Sequence, residues 1–111
     1  MRTTESGRLE QTQVMSPPHA ADNIEYEDST GLLILATMPL GKQAVDHMSN
    51  ESSPVAGGLI SIQLDENSWS TLDEFNHDGE LLNGPTSSVV RFGKRLVFGS
   101  PTAPGVLVCD I

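Results

Sequence analysis

Ala20-Ala21-Asp22-Asn23-Ile24-Glu25-Tyr26-Glu27-Asp28-Ser29-Thr30-Gly31-Leu32-Leu33-Ile34-Leu35-Ala36-Thr37-Met38-Pro39 is the stretch whose reading decides the fold. Ile24 and Tyr26 alternate with Glu25 and Glu27, the period-two signature of a half-buried strand with its carboxylates on the solvated face. Asp28 to Gly31 is turn chemistry, with Gly31 free to take positive φ, and Leu32 to Leu35 reads as a strand buried on both faces. Where the first strand enters, Asp22 and Asn23 set a carboxylate beside an amide carbonyl. Such hard oxygen donors suit Ca²⁺, although two side chains supply only part of the 6–8 oxygens it takes. The competing use of the same pair is to cap a loop ahead of a strand.

Outward from this unit the chain repeats strand and turn. Residues 1–8 are polar and read as a frayed N-terminus, and 9–111 hold the strand signals. Leu9, Gln11, Gln13 and Met15 alternate with Glu10, Thr12 and Val14 as a short edge strand that stops at Pro17-Pro18. Leu40 to Ala56 reads as a long loop in which Gln43 to Met48 allows about one helical turn. Gly57 to Asp65 and Trp69 to Asn76 are the next strands, and His77-Asp78-Gly79 is a turn. Ser87 to Phe92, Arg95 to Pro101 and Gly105 to Ile111 follow, the first two joined at Gly93-Lys94. No segment sustains a 3.6-residue period, so the class expected is all-β.

Composition narrows the chemistry. In 111 residues, Lys+Arg 6 against Asp+Glu 15 gives a formal charge of −9. That field repels phosphate backbones and argues against nucleic acid. The apolar run Leu32 to Ala36 is far short of the roughly 20 residues of a membrane span, and the N-terminus carries no secretory apolar core. One cysteine, Cys109, leaves the redox compartment undetermined. No Gly-x-Ser-x-Gly elbow, P-loop or paired zinc-ligand spacing occurs. His47 and His77 read as solvent-facing, His19 as a loop residue or part of a site mouth, and Trp69, Phe75, Phe92 and Phe98 as packing between sheets.

Four strands from Asn23 to Asn76 followed by three from Ser87 to Ile111 make one four-stranded meander and most of a second. Meanders repeated at about 40–45 residues are the mark of propeller blades, and about four or more are needed to close a ring. The fold expected is therefore a partial β-propeller, one full blade plus parts of two neighbours, and the chain is expected to be a fragment of a longer protein.

Ala21 to Ile34, with its Asp-Asn-Ile opening and Thr-Gly turn, resembles a segment of the paraoxonase/arylesterase family. So do Ser87 to Ser100 and Val106 to Ile111, the last blade with its cysteine near the end. That family stands with the gluconolactonase-like and strictosidine synthase-like six-bladed β-propellers. The resemblance implies a calcium-dependent hydrolase of carboxylic esters or lactones, with Asp22 and Asn23 as two ligands of a Ca²⁺ shared with residues outside this chain. It also implies catalytic histidines on earlier blades, so this chain alone is expected to be inactive and its own catalytic residues are unassigned. Met38 stands where the family often has a pocket histidine, and Cys109 lacks the N-terminal partner common in the family. A non-catalytic or strictosidine synthase-like propeller, acting as a binding module, is the alternative. An isolated piece is expected to need missing blades or self-association to cover its sheet faces and edges.

Overall fold

A computed structural model describes residues 2–3, 7–11, 14–50, 52–65, 68–82 and 84–111. They form nine strands and one helix: β1 (Arg2–Thr3), β2 (Leu9–Glu10), β3 (Ala20–Glu27), β4 (Leu32–Met38), α1 (Gly41–Ser49), β5 (Gly57–Leu64), β6 (Trp69–His77), β7 (Ser88–Phe92), β8 (Arg95–Gly99) and β9 (Leu107–Asp110). The chain is mostly β, as its alternation requires. β3-β4-β5-β6 form one antiparallel sheet and β7-β8-β9 another, each in simple sequence order.

Local chemistry sets the turns. Gly31 (φ 72°) closes β3 to β4 and Gly93 (φ 62°) closes β7 to β8, both in the left-handed region that glycine occupies without a Cβ clash. The edge strand expected from Leu9 to Met15 is shorter. Leu9–Glu10 pairs with Arg2–Thr3 as a separate two-stranded ribbon, and Val14 to Pro17 are not part of a strand. Gln13 and Thr12, part of that expected strand, lie outside the described residues, as do Glu66 and Asn67 of the turn before β6.

The expected loop after β4 holds a true helix, α1, of 9 residues. It opens on a glycine with no side-chain cap and no acid in its first turn, so none of the usual start signals announces it. Packing holds it instead: the Gln43 carboxamide oxygen accepts from the Ala56 N–H at 2.8 Å, and His47 is buried on its inner face.

The core lies between the two sheets. Leu32, Ile34, Ala36 and Leu59 from the first meet Val89, Leu96, Phe98 and Leu107 from the second, with Leu82 of the connector between them. A second, smaller cluster of Leu35, Ile60 and Ile62 sits on the opposite face of the first sheet, backed by Met15, Leu33 and Trp69. β5 is consequently buried on both faces from Gly57 to Ile62. The molecule measures 50 × 32 × 21 Å with a radius of gyration of 15.6 Å, against about 13 Å for a compact domain of this length. It is a slab of two stacked sheets, about 10 Å apart by ordinary sheet packing, with the outer faces open.

The stack also corrects the reading of β3. Register places Glu25 opposite Ile34 and Glu27 opposite Leu32, so both carboxylates lie on the face turned to the second sheet. Ile24 and Tyr26 are exposed on the other face, and of the two carboxylates only Glu27 is half-buried, Glu25 being exposed at the sheet edge. The inward face tolerates Glu27 because Arg91 of β7 meets it there, with Nη2 donating to Oε1 at 2.7 Å and Nε to Oε2 at 3.2 Å. Phe92 is likewise exposed rather than packed between sheets, whereas Phe98 is fully buried and Phe75 and Trp69 are half-buried.

Candidate functional site

β3 begins at Ala20, so Asp22 and Asn23 lie inside the strand rather than in the loop before it. The ladder runs Ala20 to Met38 and Ala21 to Thr37, then resumes at Ile24 to Leu35. Two residues, Asp22 and Asn23, therefore stand against Ala36 alone. This is a β-bulge, which re-aims the side chains it carries and is common at sheet edges. β3 is the edge strand of its sheet, and both bulge residues are exposed.

The two side chains have different surroundings. Asn23 reaches the second sheet, where its Nδ2–H donates to the Ser87 carbonyl at 2.5 Å. Because that bond fixes which end of the amide is nitrogen, Oδ1 points away from Ser87 and stays available as an acceptor. Asp22 lines an open cleft of about 730 Å³ with Met15, Pro17, Pro18, His19 and Leu35. His19, at the rim, is joined through Nε2 to Glu74 Oε1 at 2.5 Å, and Glu74 also accepts from Asn76 Nδ2 at 3.3 Å. His19 first and Asn76 second hold the Glu74 carboxyl below the ordinary range. Thr37, opposite Ala21, is fully buried, and among the described residues its hydroxyl has no hydrogen-bond partner. Met38 is half-buried opposite Ala20.

A calcium shell needs 6–8 oxygens, and among the described residues no group of three or more His, Cys, Asp or Glu converges to hold a metal. Asp22 and the free Asn23 Oδ1 thus make part of a shell at most. Residues outside the described set would have to complete it, and no chemical step is derived through the ion.

Two histidines read as solvent-facing are structural instead. His47 is buried: its Nδ1–H donates to the Ser53 carbonyl at 3.1 Å, leaving Nε2 to accept from the Thr102 hydroxyl at 3.3 Å. His77 accepts the Gly79 N–H on Nδ1 at 3.2 Å, so Nε2 carries the proton and donates to the buried Thr86 hydroxyl at 3.0 Å. The Phe98 ring stands edge-on to His77 at 4.9 Å, and burial pushes the imidazole below its usual pKa. His77 ties the end of β6 to the connector at Thr86, and His47 ties α1 to the loops at Ser53 and Thr102, with both nitrogens of each ring engaged. In the loop after α1, Asn50 Oδ1 accepts from the Ser52 N–H at 3.1 Å and from the Ser52 hydroxyl at 2.7 Å.

Sequence reasoning did not single out the Arg91, Glu27 and Asp73 cluster. Arg91 Nη1 also donates to Asp73 Oδ2 at 3.3 Å. An arginine inside Val89-Val90-Arg91-Phe92 was the available signal, since a charge on the strand face it shares with Val89 must find a partner. Against known proteins, no protein-family model matches the chain and no curated protein matches it either. Among the described residues no helix is long and apolar enough to cross a membrane.

Proposed function

We propose that this chain is the C-terminal part of a six-bladed β-propeller similar to the calcium-dependent arylesterases and lactonases. In this reading the β3 edge contributes Asp22 and Asn23 to a Ca²⁺ whose other ligands lie outside the chain. The observation that carries it is the bulge: two adjacent oxygen-bearing residues against one partner on an exposed edge, with the Asn23 amide pinned so that its carbonyl stays free. A Ca²⁺ bound there would polarise the carbonyl of a carboxylic ester or lactone and stabilise the oxyanion formed on attack by water. The residues of this chain orient oxygens and pack the blades, and the proton-transfer groups belong elsewhere. This chain alone does not turn over substrate.

Two stacked antiparallel meanders with an apolar outer face on the larger one support the propeller part of this reading. That same open face favours a second reading, a non-catalytic propeller piece that works as a binding module. Phenyl acetate and lactone hydrolysis by the product of the complete transcript, with and without a chelator, separates the two. The hydrolase reading expects turnover that a chelator and Asp22→Ala both abolish, and none from this chain alone. Chelator-insensitive turnover, or none from the complete product, would sink the hydrolase reading and leave the binding module.

A further inference from the structure

His77 ends β6 on the inner face of the first sheet and heads a run of contacts that leads to the bulge. Its Nδ1 accepts the Gly79 N–H at 3.2 Å, and its Nε2–H donates to the Thr86 hydroxyl at 3.0 Å. Thr86 is fully buried, and His77 is the partner its hydroxyl has among the described residues. The next residue, Ser87, offers the carbonyl that receives Asn23 Nδ2. One imidazole thus holds both ends of the connector 78–87, and the far end of that connector holds the bulge.

The surroundings fit a neutral ring. Gly57 stands opposite His77 in the ladder, and a Cβ there would fall on the Thr86 hydroxyl and the imidazole, so those two groups fill the space. Gly79 has φ 88° and lies against the Val55 backbone, which fixes the direction of its N–H. A proton on Nδ1 therefore meets an N–H that has no room to turn away, donor against donor. Gly57, Thr86 and Phe98, packed on the ring, carry no charge. β5 has no titratable residue, and Arg95 of β8 lies at the far end with Asp110. Asp78 and Glu80 of the adjoining turn are exposed, and Asp73, on the same face of β6, is taken up by Ser61 and Arg91. Burial outweighs the pull of Asp78 and holds the ring in its neutral form.

We propose that His77 is an acid-operated latch: a proton on Nδ1 expels the ring from its site, frees Thr86 and so releases the Ser87 carbonyl from Asn23. The expelled ring leaves the buried Thr86 hydroxyl without its partner, so Thr86 moves with it. Ser87 stays tied to β8 by its N–H, which donates to the Gly99 carbonyl at 3.0 Å, and its own carbonyl swings about that anchor. The ladders of β4, β5 and β8 do not run through the ring and stay closed. The consequence for a bound cation, a bulge that lets go in acid, rests on the hydrolase reading; the latch itself does not.

The test is NMR on the full chain without metal, as pH is lowered from about 7.5 to about 5 and the His77 ring protons report its charge. Corrected for intrinsic exchange, protection of the Gly79 N–H should fall by at least about tenfold as the ring titrates, while ladder amides such as Ile60 keep theirs. In the same titration the Asn23 Nδ2 proton should move to the shift of a solvated amide. His77→Gln, which has no titrating ring, should make both responses flat. Thr86→Val, which keeps the ring and cuts the next link, should retain the Gly79 response and lose that of Asn23, and it serves as the test where His77→Gln does not fold. A Gly79 N–H or an Asn23 amide that stays bonded while His77 is charged overturns the proposal. So does a ring that stays neutral down to about pH 5, or protection at Ile60 lost in step with Gly79, which is unfolding of the whole chain. None of these outcomes touches the hydrolase reading, which stands or falls on chelator-sensitive turnover.

Discussion

Replacing Arg91 with methionine removes a cation from between the sheets and keeps most of the apolar stem that packs there. Glu27 then loses two charge-assisted hydrogen bonds, at 2.7 Å and 3.2 Å, and stays on an inward face. Breaking a buried pair from one side costs about 3–5 kcal/mol. Here the side chains keep 14% and 15% of their surface in contact with water, which relieves some of the penalty and brings the expectation to about 2–3 kcal/mol. The Asp73 contact, at 3.3 Å and with a partner 43% exposed, adds no more than about 0.5 kcal/mol. A domain of this size has about 5–15 kcal/mol in total, so Arg91→Met should lower the melting temperature by roughly 10–20 °C. Urea denaturation followed by circular dichroism reads the difference, and the double variant Arg91→Met/Glu27→Leu should recover most of it because no charge is left stranded. The pH dependence gives a second handle. Arg91 holds the Glu27 carboxyl below its ordinary range, so the unfolded chain binds a proton more readily there and stability rises with pH. The contribution is complete above the unfolded carboxylate pKa and is lost as pH falls through the lowered folded value. Arg91→Met should erase that acid-sensitive part. A loss under about 0.5 kcal/mol, or a double variant as unstable as the two single losses added, would refute the argument that this pair clamps the sheets.

Other outcomes follow from the same coordinates. His77 is held neutral by burial, so the unfolded state takes up its proton first and stability should decline as pH falls below about 6.5, by at most about 1.4 kcal/mol per pH unit until the lowered folded pKa is reached; His77→Gln should flatten that slope in urea titrations at successive pH values. Gly79 has φ 88°, and a Cβ there would meet the Val55 backbone at 2.5 Å, so Gly79→Ala should cost about 2–4 kcal/mol by the same assay, whereas Ala at Gly105, where a Cβ meets nothing, should stay within about 0.5 kcal/mol.

The strands were legible because alternation and turn chemistry are local. Gly31 and Gly93 mark the two tight turns, and each strand expected from Asn23 onward is present with ends displaced by a few residues. What sequence could not show depends on partners distant in the chain. Glu25 and Glu27 alternate with Ile24 and Tyr26 in a pattern that fits either orientation, and the choice is made by Arg91, which lies 64 residues beyond Glu27. His47 and His77 sit among polar neighbours in sequence, yet Thr102, 55 residues from His47, and Thr86 take up their ring nitrogens, with His47 buried and His77 half-buried. Only about one turn of α1, from Gln43 to Met48, was legible against the nine residues present, because its stability comes from docking rather than from its own caps. Asp22 and Asn23 were recognisable as oxygen donors, but the bulge that presents them exists only through pairing with β4.

That bulge is coupled to the stacking of the sheets. Asn23 donates to the Ser87 carbonyl, and Glu27, four residues on, receives Arg91, four residues beyond Ser87. The two links run in step along β3 and the β7 segment, so the position of the Asn23 carbonyl is set by how the sheets dock and not by β3 alone. A cation that takes up Asn23 Oδ1 in this orientation favours the docked arrangement. By reciprocity, whatever loosens the docking weakens the cation by the same factor. Arg91→Met, although it contributes no oxygen, should therefore lower any affinity that resides at the bulge, while a substitution on the open outer faces that leaves the docking intact should not.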